Sequence, residues 1–146
     1  MPNGRRSNRQ GPRQPRRGLG FQIRFRDGEG QVPPELFEET ARHAAEVVAQ
    51  GKREVNKSYQ LRRFYDELSM WEERVRQDER KFKDYLPFIK MLKAKAAYAE
   101  GRGHVDGAFV DMLEQMIDFI RKPEDLYLAK TFFEAFLGFY RRYKGD

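Results

Sequence analysis

The chain has no cysteine, only two histidines and one tryptophan, and no apolar run long enough to cross a bilayer. Without cysteine there is no disulfide and no thiolate zinc site, which fits a reducing, cytoplasmic setting. His43 and His104 lie far apart, and no carboxylate cluster gives them metal-ligand spacing. The HExxH, P-loop and GxSxG patterns are all missing. "GRGHVDG" is glycine-rich but lacks the Lys-Ser/Thr of a phosphate cradle, and it follows a helical stretch rather than a strand, so it reads as a flexible connector. Acid pairs such as Glu72/Glu73 and Glu124/Asp125 fall on predicted solvent faces or helix starts. Nothing assembles a nucleophile, a base and an oxyanion donor, so the expectation is a protein that is no enzyme and needs no cofactor or metal. The first residues show no apolar core of a secretory signal.

What is present is charge and a helical pattern. The 146 residues are 39% hydrophobic, enough for the core of one ordinary domain, and 36% charged. The net charge of +6 is unevenly placed. Residues 1–31 hold eight arginines (Arg5, Arg6, Arg9, Arg13, Arg16, Arg17, Arg24 and Arg26) against Asp27 and Glu29, which accounts for all of it. The rest of the chain is balanced, so it attracts an anion by local arrangement and not by bulk charge. The arm, 1–31, is rich in Gly, Pro, Arg and Gln, and up to Leu19 it has too little apolar surface to offset the entropy of ordering. Residues 1 to about 18 are expected to be disordered, and "FQIRFR" alternates in the manner of a short extended segment laid on the body or on a partner. An arm of arginines without lysine is also the composition of segments that track phosphates and stack on bases.

Residues 32–146 read as an all-α, compact bundle of about five helices. Pro33 and Pro34 open the first helix and Gly51 ends it. The second starts near Asn56 or Ser58, either of which can cap it, and its apolar positions are Leu61, Phe64, Tyr65, Leu68, Trp71 and Val75. It is expected to run on toward Leu86, with Pro87 opening or kinking a third helix. The fourth covers about 106–122, and Pro123 stops it. The fifth is aromatic on two faces, which suits either deep core or contact with a second copy.

The first turns of the second helix carry Lys57, Gln60, Arg62 and Arg63, while the third carries Lys93 and Lys95 and is followed by Arg102. If the two helices pack antiparallel, these cations converge at adjoining helix ends, where free N–H groups also favour an anion. The alternative is a solvated face on which Arg62–Asp66 and Arg63–Glu67 are surface pairs of about 0.3–0.5 kcal/mol each.

Three stretches carry a family resemblance. "KSYQLRRFYDEL" is similar to the Ser/Thr-x-Gln-Leu/Ile-Arg-Lys/Arg-Phe helix start of the Csm small subunit of type III-A CRISPR–Cas effector complexes. "LPFIKMLKAKAAYAEGRG" resembles that family's Leu-Lys-x-Lys-x-x-Tyr-x-x-Gly/Ala-Arg segment, and "TFFEAFLGFYRRYKG" its closing aromatic pattern, in the same order. The family often has Ala-Tyr-His where Phe139, Tyr140 and Arg141 stand, and the arm is not part of its motifs. The resemblance implies a small helical subunit, itself no nuclease, present in several copies that stack head to tail beside backbone subunits and near the large subunit. It implies contact with guide RNA and target RNA through phosphates, without reading sequence. Carried over position by position, the family's basic residues fall on Lys57, Arg62, Arg63, Lys93, Lys95 and Arg102, and Gln60 matches a motif position. No membrane and no small-molecule substrate is implied. The rival reading is a protein-binding helical scaffold or adaptor whose basic arm serves localisation.

Overall fold

The computed structural model describes residues 15–146. Five α-helices follow one another: α1 Ala41–Ala49, α2 Ser58–Gln77, α3 Phe82–Gly101, α4 Gly107–Phe119 and α5 Pro123–Tyr143. A π-helical turn, Leu36–Thr40, leads into α1. Among the described residues there is no strand, so the all-α expectation holds. No helix among them is long and apolar enough to cross a membrane.

The core gathers the apolar faces of all five helices and the strap, and α4 and α5 supply most of its largest side chains. Phe109, Met112, Leu113, Met116 and Ile117 recur at helical spacing on α4 and are fully buried. On α5, Phe132, Phe133, Phe136 and Tyr140 are likewise buried, with Phe133 meeting Phe109 edge-on at 6.2 Å. Helices α1 and α2 close over α5, and α3 lies chiefly on α4. Both aromatic faces of α5 therefore have neighbours within one chain: Phe132 meets Phe25 at 5.5 Å, and Phe133 meets Tyr65 at 5.7 Å.

Three boundaries differ from expectation. Helix α2 stops at Gln77, not near Leu86, because Asp78 leaves the helical region and its carboxylate accepts from Arg80 N to start a 3₁₀ turn, Glu79–Lys81. Pro87 then lies inside α3, where it costs one backbone hydrogen bond, and it does not set the start of the helix. At the other end of the bundle, Pro123 occupies the first position of α5, while α4 has already ended at Phe119.

Residues 15–31 form an extended strap across the bundle. Residues 15–18, expected to lack order, are held by their own charges: Arg16 Nε reaches Glu100 at 2.7 Å, and Arg17 Nε reaches Asp106 at 2.8 Å. Leu19, Ile23 and Phe25 point inward and are buried, while Gln22 and Arg24 point out, so "FQIRFR" is laid on the body with its apolar side down. Its backbone is satisfied by side chains: Leu19 N donates to Asp111 and Ile23 N to Gln115 Oε1. The strap crosses the start of α4 so closely that a Cβ on Gly107 would sit 2.2 Å from the Arg17 carbonyl oxygen. Arm residues 1–14, with Arg5, Arg6, Arg9 and Arg13, lie outside the described residues.

Candidate nucleic-acid interface

Antiparallel packing of α2 and α3 follows from the tight turn between them. At the turn end the helices meet through aromatic rings: Trp71 contacts Tyr85 at 5.4 Å and Phe88 at 5.8 Å, and Arg74 lies 5.0 Å from the Trp71 ring. Farther from the turn they part. A groove of about 610 Å³ opens there, with Gln60, Arg63 and Glu67 on one wall and Met91, Lys95 and Tyr98 on the other. Arg102 and His104 stand at its far end, and Phe64, buried and packed on Phe109 at 5.3 Å, joins its lining to the core.

The far end of the groove is rigid because the α3–α4 connection is a junction and no simple connector. Asn56 has φ +56°, is fully buried, and ties four segments together. Its N–H donates to the His104 carbonyl, its Nδ2 donates to Val48 O and to Asp106 Oδ1, and its Oδ1 accepts from Asp106 N. The Tyr140 hydroxyl donates to its carbonyl, and burial pushes that phenol's pKa well up. Asp106 also caps α4 by accepting from Ala108 N and Phe109 N.

Of the seven residues singled out from sequence, four line this groove: Gln60, Arg63, Lys95 and Arg102. Gln60 is nearly buried and donates to the Tyr59 hydroxyl at 3.2 Å. Arg63 and Arg102 make no ion pair among the described residues, and Arg102 reaches only the Tyr98 hydroxyl, at 3.2 Å. Lys95 spans the groove to an ion pair with Glu67. The other three lie elsewhere. Lys93 is on the α4 side of α3, 2.6 Å from Asp118, whose hydrogen bond raises the ammonium pKa although desolvation opposes it. Arg62 is exposed beside Asp66 and Tyr65. Lys57 precedes α2, at the residue that would cap it. The expected free N–H at that helix start is taken, since Ser58 N donates to Asp146 Oδ2 at 2.9 Å and Ser58 Oγ donates to Asp146 Oδ1 at 2.5 Å. Neither Asn56 nor Ser58 caps α2 with its own side chain.

Tyr98 and Met91 were missed from sequence. Positions 91, 95, 98 and 102 share one side of α3 at spacings of four, three and four, which is the available signal.

Among the described residues no group of three or more His, Asp or Glu side chains could hold a metal ion. Searches of the curated proteins and of the solved structures found no match. A family description, Csm2 Type III-A, matches residues 34–146, which includes all five helices and the groove and leaves out the strap. The chain belongs to the Csm2 family of type III-A CRISPR–Cas systems.

Proposed function

We propose that the protein, a Csm2-family subunit of a type III-A effector complex and a partner of other Csm subunits, serves there without catalysis, holding a guide or target RNA backbone in the α2–α3 groove in the cytoplasm, while copies of the chain stack beside the backbone subunits. One observation carries the groove assignment: Arg63 and Arg102 face the same opening without a carboxylate partner among the described residues, while Arg16, Arg17, Arg26 and Lys93 on the strap side are each paired. An arginine fork accepts two phosphate oxygens at once and needs no base contact. Lys95 contributes less, because Glu67 already neutralises it in part. Lys57, Arg62 and Lys93 belong to the proposed RNA-binding set only as flanking charge.

Filter binding with labelled RNA and the full chain tests this. The Arg63→Ala/Lys95→Ala/Arg102→Ala variant is expected to lose tenfold or more in affinity. The slope of log affinity against log salt should fall by about 2, from three contacts at roughly 0.7 each. Unchanged affinity and slope would remove the groove from the function and leave the protein-binding scaffold.

A further inference from the structure

Phosphate recognition needs only cations, yet the groove offers more. Tyr98 is 68% exposed and Met91 51% exposed, although both are large and largely apolar. They line the groove on the stripe of α3 that also carries Lys95 and Arg102. The Arg102 guanidinium stands 5.9 Å from the centre of the Tyr98 ring. Phe88, on the same helix, differs in kind, since its ring already stacks on Trp71. The groove therefore brings an exposed aromatic ring and a thioether into one lining with two arginines that have no ion pair among the described residues. A duplex keeps its bases stacked inside and has no flat apolar surface to set against Tyr98. A strand with an unstacked base does, and aromatic rings alternating with cations are how single strands are held without sequence preference.

We propose that the groove accepts an unpaired RNA nucleotide, with its phosphates at Arg63 and Arg102 and its base laid on the Tyr98 ring beside Met91. This rests on the RNA reading above and adds a preference for single strand over duplex. Charge complementarity selects the occupant: an anionic strand suits Arg63 and Arg102, and Glu67, the one carboxylate of the lining, is bonded to Lys95 and not open to repel it. The volume of about 610 Å³ lies in the range of small-ligand sites and is enough to seat one nucleotide.

Fluorescence of a 2-aminopurine base in a short RNA, bound by the full chain as a single strand or as a duplex, reads the stacking directly. The base is expected to be quenched on binding in the single strand and unaffected in the duplex. Tyr98→Ala should weaken single-strand binding about fivefold to a hundredfold, the usual worth of one base–aromatic stack, and leave duplex binding unchanged. Tyr98→Phe should keep both affinity and quenching. Tyr98 is exposed, so folding is not at stake in either variant. If Tyr98→Ala leaves single-strand affinity intact while Arg63→Ala/Arg102→Ala weakens it, the groove binds backbone alone and the stacking idea fails by itself. If the arginine variant changes nothing, the RNA reading fails with it. Should Tyr98→Ala instead shift the sedimentation of the protein and not its RNA binding, the stripe is a contact between copies and the proposal is wrong.

Discussion

Helix α3 separates two unlike faces. Toward the strap and α4, cations meet carboxylates: Arg16–Glu100, Arg17–Asp106, Lys93–Asp118 and, farther along, Arg26–Asp125. Toward α2, Arg63 and Arg102 have no such partner among the described residues, and Tyr98 stands in water. The residue types are similar on both faces. What differs is whether another segment of the same chain lies opposite. A charge paired within the fold is spent on holding the fold. A charge left over beside an open aromatic ring is available to something else. Arginine content alone does not separate the two, and at least three of the arm's arginines serve the closed face.

The sharpest way to break this comparison is to unseat the strap. Phe25 is buried, stacks on Phe119 at 4.5 Å and meets Phe132 edge-on. Phe25→Ala should cost about 3–5 kcal/mol in urea unfolding, the usual loss for a buried aromatic. RNA affinity of the folded fraction should stay the same, because the groove is on the other face. A loss of affinity without loss of stability would mean that the strap belongs to the binding surface.

Next in size is the junction at the end of the groove. Asn56→Ala removes the amide that bonds Val48 and Asp106 and puts alanine at a positive φ. The expected loss is about 2–4 kcal/mol, from orphaned buried partners and backbone strain together. Asn56→Gly keeps the backbone preference and loses only the bonds, so thermal unfolding should place it between the two. If glycine and alanine destabilise equally, the left-handed conformation contributes nothing.

These effects also show why some parts of the molecule were legible in the sequence and others were not. The five helices were, because Phe109, Met112, Leu113, Met116 and Ile117 repeat at helical period, because Gly51 follows the end of α1 and because Pro123 marks the break between α4 and α5. The strap was half legible: the alternation of "FQIRFR" indicated an extended segment, but the pairing of Arg16 and Arg17 with Glu100 and Asp106 spans more than eighty residues and leaves no local trace. The junction was hidden for the same reason, since Asn56 looks like a helix cap until Asp106 and Tyr140 are seen around it. Within the groove, Gln60, Arg63, Lys95 and Arg102 came together because antiparallel packing of adjacent helices is forced by a short turn. Lys93 did not, because residues two apart on a helix point about 160° apart in the projection of 3.6 residues per turn, and Lys95 took the groove side.

That pair supplies a smaller test. Lys93→Ala removes an exposed ion pair with Asp118 and should change stability by about 1 kcal/mol or less, with RNA affinity lowered about twofold at most, as for a flanking charge. Lys95→Ala frees Glu67 to face the groove and should weaken RNA binding more than the loss of one phosphate contact alone. Electrophoretic mobility shifts of the two variants side by side decide it. Equal effects would mean that α3 does not divide the surface as its ion pairs suggest.

The smallest expected effect concerns the start of α2, where the two faces are hardest to tell apart. Burial pushes the Asp146 carboxyl pKa up, but the hydrogen bonds from Ser58 outweigh this and leave it below the ordinary value. A carboxyl lowered on folding stabilises at pH values above its unfolded pKa, and that contribution is lost as pH falls through the folded one. The loss should therefore appear only on the acid side of the usual aspartate range, and Asp146→Asn should abolish it. The group is largely exposed, so the contribution at neutral pH is about 0.5 kcal/mol or less. The same substitution removes a negative charge next to Lys57 and uncovers a helix N-terminus. RNA affinity at neutral pH should then rise about twofold, the worth of one screened charge at a helix start. An unchanged affinity would assign the α2 start to the closed face and confine the open one to Arg63, Tyr98 and Arg102.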